Sequence, residues 1–121
     1  MQINIQARGF ELTDGLRSHI VMRLQFALGW ASHRLGKVSV RLSDENGPRG
    51  GEDKRCCLRV GVAGAEDVVI EDTEADLYVA IDRAADRASR VLARRMERQR
   101  AHRNTVASAA TSDNTTAAPV H

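Results

Sequence analysis

The sequence predicts an α+β fold with the element order β-α-β-β-β-α, in which two helices pack on one face of a four-stranded sheet. Four short segments alternate apolar and polar residues, as half-buried strands do. Two longer segments repeat apolar residues at helical spacing. Because each helix has one apolar stripe, two such helices are sufficient to cover one face of the sheet.

The first strand and the first helix are predicted in the N-terminal quarter of the chain. Residues 2–7 (QINIQA) alternate, with Ile3 and Ile5 on the side that faces the core. Thr13 is predicted to cap a helix that runs from about Asp14 to Trp30. The apolar positions that follow Thr13 at helical spacing are Leu16, Ile20, Leu24, Ala27, Leu28 and Ala31.

Three further strands are predicted in the middle of the chain. They cover residues 37–43 (KVSVRLS), 55–63 (RCCLRVGVA) and 67–72 (DVVIED), and Gly64 marks a hairpin between the last two. Residues 44–53 contain three glycines, a proline and four acids, which predicts a loop. The second sheet face is expected to be solvated, as antiparallel sheets permit. Its residues are Gln2, Asn4, Gln6, Lys37, Ser39, Arg41 and Arg59.

A long second helix and a tail complete the chain. Thr73 is predicted to cap this helix, with Asp76 at capping-box distance. No glycine or proline interrupts the segment before its predicted end at Arg100 or Arg103. Residues 104–121 are rich in Ser, Thr and Ala without apolar periodicity, which predicts disorder. We therefore expect one folded domain, 1–103, followed by a disordered tail, 104–121.

Composition and spacing exclude several classes of function. The 121 residues contain no apolar run of about 18 and no signal-peptide pattern, so we expect a cytoplasmic protein that binds no membrane. Cys56 and Cys57 are adjacent and point to opposite faces of a strand, so Cys56 is assigned to the core and Cys57 to the surface. Neither the cysteines nor the histidines have metal-ligand spacing, and no catalytic constellation is present. We expect no enzyme, no metal and no cofactor.

Charge is strongly segregated along the chain. The net charge is +4 over residues 1–43, −7 over 44–82 and +6 over 83–103. On the second helix, five arginines fall within an arc of about 80° at 100° per residue. They are Arg83, Arg87, Arg90, Arg94 and Arg98. Like charges at this spacing repel one another, which favours a phosphate-binding stripe; the alternative is a merely solvated face.

The first helix adds Arg17 and Arg23 at the two borders of its apolar stripe, with His19 on the outer side. We expect the two helices to present a basic groove between them. Aromatic residues make up only 3% of the chain, so base stacking is not expected to be the main mode of binding. The interpretation is recognition of folded RNA through its backbone and shape.

The sequence resembles the hibernation-promoting factor family of bacterial ribosome-associated proteins, whose short form is also called protein Y and whose members are also known as sigma-54 modulation proteins. The similar segments are 2–20 (QINIQARGFELTDGLRSHI), 23–30 (RLQFALGW) and 74–95, which contains DLYVAID. The resemblance implies a non-enzymatic factor that binds rRNA in the decoding channel of the small ribosomal subunit and blocks mRNA and tRNA. By matching position it assigns ribosome contacts to Arg17, Arg23, Arg83, Arg87, Arg90 and Arg94, and a packing role to Tyr78.

The chain also departs from this family. Where members often carry lysines late in the first helix, it has Phe26 and Gly29, with Met22 also on the outer side. Met22, Phe26 and Trp30 recur at every fourth position and are predicted either to cover loop residues or to contact a protein. Nothing after Arg103 resembles the dimerisation domain of the long form, so we expect a monomer when free. The expected partner is the small subunit or the whole ribosome, and not DNA.

Two other functions fit the same residues. One is a general module for structured RNA, which would bind naked duplex RNA as well as it binds ribosomes. The other is a protein-interaction adaptor that uses Met22, Phe26 and Trp30, whose binding would hardly change with salt.

Overall fold

The predicted element order and fold class are confirmed by the computed structural model, which describes residues 1–44 and 53–110, with side chains up to residue 101. A short 3₁₀ helix at Gly29–Arg34 separates the first helix from the second strand. The main elements are β1 (Gln2–Arg8), α1 (Asp14–Leu28), β2 (Leu35–Asp44), β3 (Lys54–Val62), β4 (Val68–Glu74) and α2 (Leu77–Ala110).

The four strands form one mixed sheet in the order β1-β2-β3-β4. β1 pairs with β2 in parallel, and Ile5 lies beside Val40. The pairs β2–β3 and β3–β4 are antiparallel. The expectation of an antiparallel sheet was therefore wrong at β1. The reason is that α1 crosses over the sheet and returns the chain to run in its original direction.

One face of this sheet and the apolar stripes of the helices form the core. Strand residues alternate between buried and exposed, and the buried set includes Val38, Val40, Leu42, Cys56, Leu58, Val60, Val68 and Ile70. α1 contributes Leu16, Ile20, Leu24, Ala27 and Leu28, and the N-terminal part of α2 contributes Ala80, Ile81, Ala84, Ala85 and Ala88. The alanines on α2 allow close approach, since small side chains let a helix lie near its neighbours. The opposite face of the sheet carries mainly polar side chains, as predicted, although Val69 is also exposed there.

The helix ends differ from the sequence predictions. Thr13 caps α1 as predicted, because its Oγ1 accepts a hydrogen bond of 3.1 Å from the Leu16 N–H. Thr73 does not cap α2, since β4 continues through it to Glu74. The cap is Asp76, whose Oδ1 accepts a hydrogen bond of 2.7 Å from the Tyr78 N–H. α1 ends at Leu28 and passes into the 3₁₀ helix, two residues before the predicted end at Trp30.

α2 continues to Ala110, beyond the predicted end at Arg100 or Arg103, since no glycine or proline stops it. Residues 104–110 of the predicted tail are therefore helical. The rest of the predicted tail, 111–121, and most of the predicted loop lie outside the described residues. Met1–Arg90 forms one compact unit, and a second begins at Val91, so α2 passes from one into the other.

Candidate RNA-binding surface

The two helices of the first unit lie side by side and run in the same direction. His19, Arg23 and Trp30 follow one another along α1 and the 3₁₀ helix. Their partners on α2 are Asp82, Asp86 and Ser89, in the same order. The sequence separations of 59 to 63 residues show that these contacts depend on the fold. The seam between the helices is thus lined by both signs of charge.

Arg23 is the centre of this seam. Its Nη2 donates to Asp86 Oδ1 at 2.8 Å, and its Nε lies 3.0 Å from Asp82 Oδ1 without hydrogen-bond geometry. The Arg23 side chain is only 21% exposed. The guanidinium that was predicted to bind RNA is therefore already paired with two carboxylates. Through these contacts Arg23 joins α1 to α2.

His19 is also part of the seam, and its predicted position on the outer side of α1 was wrong. Its Nε2 lies 2.8 Å from Asp82 Oδ1, and its ring meets that of Tyr78 edge to face with centroids 4.8 Å apart. The packing role that the resemblance implied for Tyr78 agrees with this contact, although Tyr78 remains 43% exposed. Asp82 thus holds both His19 and Arg23 against α2.

Arg83 and Arg87 project from α2 on the side of β4, away from α1. Arg83 Nε lies 3.6 Å from Glu74 Oε2. Arg87 Nη1 donates to the Glu71 carbonyl at 3.0 Å and lies 3.3 Å from Asp72 Oδ1. Each of these contacts uses one guanidinium nitrogen, and the side chains are 64% and 51% exposed. The remaining donors are free to bind a ligand while the first holds the side chain in place.

The other predicted arginines are exposed. In the first unit, Arg17 and Arg90 have no side-chain partner among the residues that the structure describes. In the second unit, Arg94 and Arg98 are likewise exposed on α2. Arg17 lies near the start of α1, and Arg90 directly follows Ser89 on α2.

These contacts relocate the predicted basic surface. Asp82 and Asp86 line the space between the helices, so no basic groove lies there. The basic surface of the first unit is instead the outer face of α2 that overhangs β4, formed by Arg83, Arg87 and Arg90. We call this the α2 arginine face. The sequence contained a signal for this acidic seam. Asp82 and Asp86 are four residues apart and therefore share a side of the helix on which none of the five arginines lies.

Met22, Phe26 and Trp30 form an exposed apolar patch. Their exposed fractions are 58%, 79% and 49%. The Trp30 ring is fixed, because its Nε1 donates to the Ala27 carbonyl at 2.9 Å and to Ser89 Oγ at 3.2 Å. The Arg23 guanidinium lies 5.8 Å from the centre of the Phe26 ring, at cation–π distance. All three side chains are therefore largely open to solvent.

Two ionisable side chains of the described ranges, Cys56 and Lys54, have raised pKa values. Burial, followed by the charges of Cys57 and Asp72, raises the pKa of the Cys56 thiol to about 12. The hydrogen bond from Lys54 to Asp53 raises the pKa of that lysine.

Residues 1–44 and 53–110 hold no group of three potential metal ligands. In the same ranges, no helix is both long enough and apolar enough to cross a membrane.

The sequence matches the model of a protein family described as "Sigma 54 modulation protein / S30EA ribosomal protein" over residues 3–100. The N-terminal domain of protein Y from Thermus thermophilus is 30% identical, with a TM-score of 0.64, over 78% of this chain and 98% of that domain. A ribosomal subunit interface protein from Coxiella burnetii shares the fold at 13% identity and a TM-score of 0.68, over 80% of this chain and 99% of that one. No curated protein sequence matches the chain.

Proposed function

Because the chain belongs to the sigma 54 modulation protein / S30EA ribosomal protein family, we propose that it is a cytoplasmic ribosome-associated hibernation factor. It binds ribosomal RNA in the decoding channel of the small subunit and blocks mRNA and tRNA there. The mechanism is steric and involves no chemical step. The domain of protein Y to which it is similar, and the subunit interface protein that shares its fold, support the association with ribosomes.

The α2 arginine face is the observation that carries this proposal. Arg83 and Arg87 are each held by one nitrogen at the edge of β4, and Arg90 has no partner among the described residues. Guanidinium groups that are already oriented lose less side-chain entropy when they bind phosphate in a bidentate manner. Arg94 and Arg98 of the second unit, and Arg17 on α1, are proposed to contribute further phosphate contacts.

Arg23 has a different role in this proposal. Its guanidinium is shared between Asp82 and Asp86 and is mostly covered, so binding phosphate would leave two carboxylates without their cation. We therefore assign Arg23 to holding the two helices together and not to the RNA contact that the family resemblance suggested.

The proposal is tested by co-sedimentation of the protein with whole ribosomes and with separated subunits across a series of salt concentrations. If the three arginines of the α2 arginine face each neutralise one phosphate, they contribute about 2 to 3 to the slope of log K against log salt. The triple substitution Arg83→Glu, Arg87→Glu and Arg90→Glu should abolish pelleting with the small subunit. Circular dichroism would establish that the variant is folded.

A matched pair of variants controls for overall charge. Arg90→Glu and Arg100→Glu make the same change on the same exposed helix, but Arg100 lies about 80° outside the arginine arc. We expect the first substitution to weaken binding at least several-fold and the second to have little effect. Equal losses in both variants, or pelleting of the folded triple variant with the small subunit, would contradict the proposed contact.

Two further measurements separate the remaining alternatives. A general module for structured RNA would bind naked duplex RNA as tightly as it binds ribosomes, whereas a decoding-channel factor would prefer the small subunit and compete with tRNA and mRNA. An adaptor function is favoured by the exposed patch of Met22, Phe26 and Trp30. In that case Phe26→Ser would remove a protein contact that persists at high salt, and ribosome binding would be unchanged.

A further inference from the structure

The open face of the sheet carries a second basic cluster, at the end where β1 leaves the sheet. The parallel register places Gln6 beside Arg41 and Arg8 beside Ser43. The antiparallel register places Ser43 beside Arg55 and Arg41 beside Cys57. All of these side chains point away from the helices, because they alternate with the buried residues of their strands. Three arginines from three different strands therefore converge on one area.

These arginines surround a concavity of about 280 Å³. The other described residues that line it include Ser43, Asp44, Cys57 and Glu71. A second depression alongside is lined by Gln6, Ala7, Arg8 and Arg41. Arg8 and Arg41 thus border both, and the Ser43 hydroxyl and the Gln6 amide supply neutral hydrogen-bonding groups next to them. This is the combination of donors that binds a phosphate group.

Only part of the positive charge in this cluster is paired with carboxylates of the residues that the structure describes. Arg55 is paired with Glu71 at 2.6 Å, and Asp44 is paired with Lys54 at 3.2 Å. Arg8 and Arg41 are exposed and have no carboxylate partner within the ranges that the structure describes. Like charges on neighbouring strands repel each other, so an anion bound between them would be favoured.

We propose that Arg8 and Arg41, with Ser43 and Gln6, form a phosphate-binding site on the open face of the sheet, and that its ligand is the backbone phosphate of an RNA strand. Arg55 orients the site from β3 through its pair with Glu71. The helices and the sheet then bind RNA on opposite sides of the domain, so the protein contacts two separate RNA segments at once. This goes beyond the proposed function, which assigns RNA contacts to the helices only.

Cys57 provides a direct measure of occupancy, because it lines the concavity while Cys56 is buried. Alkylation of Cys57 by iodoacetamide, a neutral reagent, is followed with and without a ten-nucleotide single-stranded RNA. We expect the RNA to slow alkylation severalfold in the parent protein. The double variant Arg8→Ala and Arg41→Ala should bind the RNA at this site about tenfold or more weakly, and protection should be lost.

The matched control is Arg59→Ala, on the same face of the sheet. This substitution also removes one positive charge, but the Arg59 side chain is already paired with Asp67 at 3.2 Å. Arg59 lies outside the concavity. Protection should survive in this variant. Protection by RNA that is equal in the parent and in the Arg8/Arg41 variant would overturn the inference, as would its absence in the parent. Comparing each variant with and without RNA removes any effect of the arginines on thiol reactivity itself.

Two further arms identify the source of the phosphate and separate this inference from the proposed function. Inorganic phosphate at millimolar concentration should protect Cys57 much less than the RNA, whereas equal protection by both would replace the RNA assignment with a site for a free anion. The Arg90→Glu variant should retain RNA protection of Cys57 even though it binds ribosomes less well. If Arg90→Glu abolishes Cys57 protection, the two surfaces are not separate and the inference fails.

Discussion

The substitution Arg23→Ala distinguishes an arginine that stabilises the contact between the helices from the arginines that are proposed to bind RNA. The substitution removes two ion pairs with Asp82 and Asp86, at 3.0 and 2.8 Å, across the seam between the helices. The carboxylates are 43% and 54% exposed, so solvent screens both pairs. Exposed pairs contribute about 0.2 to 1 kcal/mol each, so the free energy of unfolding should fall by about 0.5 to 2 kcal/mol.

For a domain of this size, that loss corresponds to a decrease in Tm of about 3 to 10 °C. Thermal unfolding followed by circular dichroism at low salt measures it, and the effect should shrink at about 1 M salt, where the Debye length is about 3 Å. The matched variant Arg90→Ala removes the same side chain where it has no partner among the described residues. Its stability should remain within about 0.5 kcal/mol of the parent.

The two variants should rank in the opposite order when ribosome binding is measured instead of stability. Arg90→Ala should weaken co-sedimentation with the small subunit, and Arg23→Ala should retain it at temperatures where the variant is folded. A double-mutant cycle with Asp86→Ala should give a coupling free energy of about 0.5 to 1 kcal/mol with Arg23. An unchanged Tm for Arg23→Ala at low salt, together with zero coupling to Asp86, would refute the assignment of Arg23 to the seam.

Three further predictions concern the core, the helix cap and the cysteines. Ile20→Ala removes a fully buried side chain and should cost about 2 to 5 kcal/mol in urea unfolding; a cost below about 1 kcal/mol would mean that the helices do not pack as described. Asp76→Ala should cost about 1 kcal/mol and Thr73→Ala much less, the opposite order to that expected if Thr73 were the cap. Because burial raises the pKa of Cys56 to about 12, above the 9.0 of an unburied thiol, the unfolded chain loses its proton first as pH rises. Cys56 should therefore make stability fall between about pH 9 and 12, by up to about 1.4 kcal/mol per pH unit. Stability of Cys56→Ala should change less over this range, and an identical pH dependence in both proteins would contradict the buried thiol.

Most of the secondary structure could be predicted from the sequence. Alternation in segments such as KVSVRLS and the helical repeat of Leu16, Ile20 and Leu24 are local patterns, and each directly identifies a buried face. The assignment of Cys56 to the core followed from the same alternation, and the structure confirms it, whereas Cys57 is half-buried. The errors were at element ends, where Thr73 and Asp76 are both suitable caps and only the extent of β4 decides between them.

The candidate site was less predictable, because its charges act through partners that are distant in sequence. The pattern on α2 placed its arginines on one face of the helix, but it could not show that Arg23 would meet Asp82 and Asp86 more than 50 residues away. Nor could it show that the edge of β4 would hold Arg87 through a single nitrogen. Side-chain spacing determines which residues share a face, whereas the packing of helices and strands determines which charges are neutralised.

The element order, the buried face of each element and the alignment of the arginines along the second helix could all be read from local patterns, because they depend on periodicities of two and 3.6 residues. The parallel pairing of β1 with β2 became visible only in the folded chain, and this pairing places Arg8 diagonally across from Arg41 on the open face of the sheet. Strand order and direction are set by the crossover through α1 and by the burial of the whole core. They are collective properties of the folded chain, and no local pattern of residues encodes them.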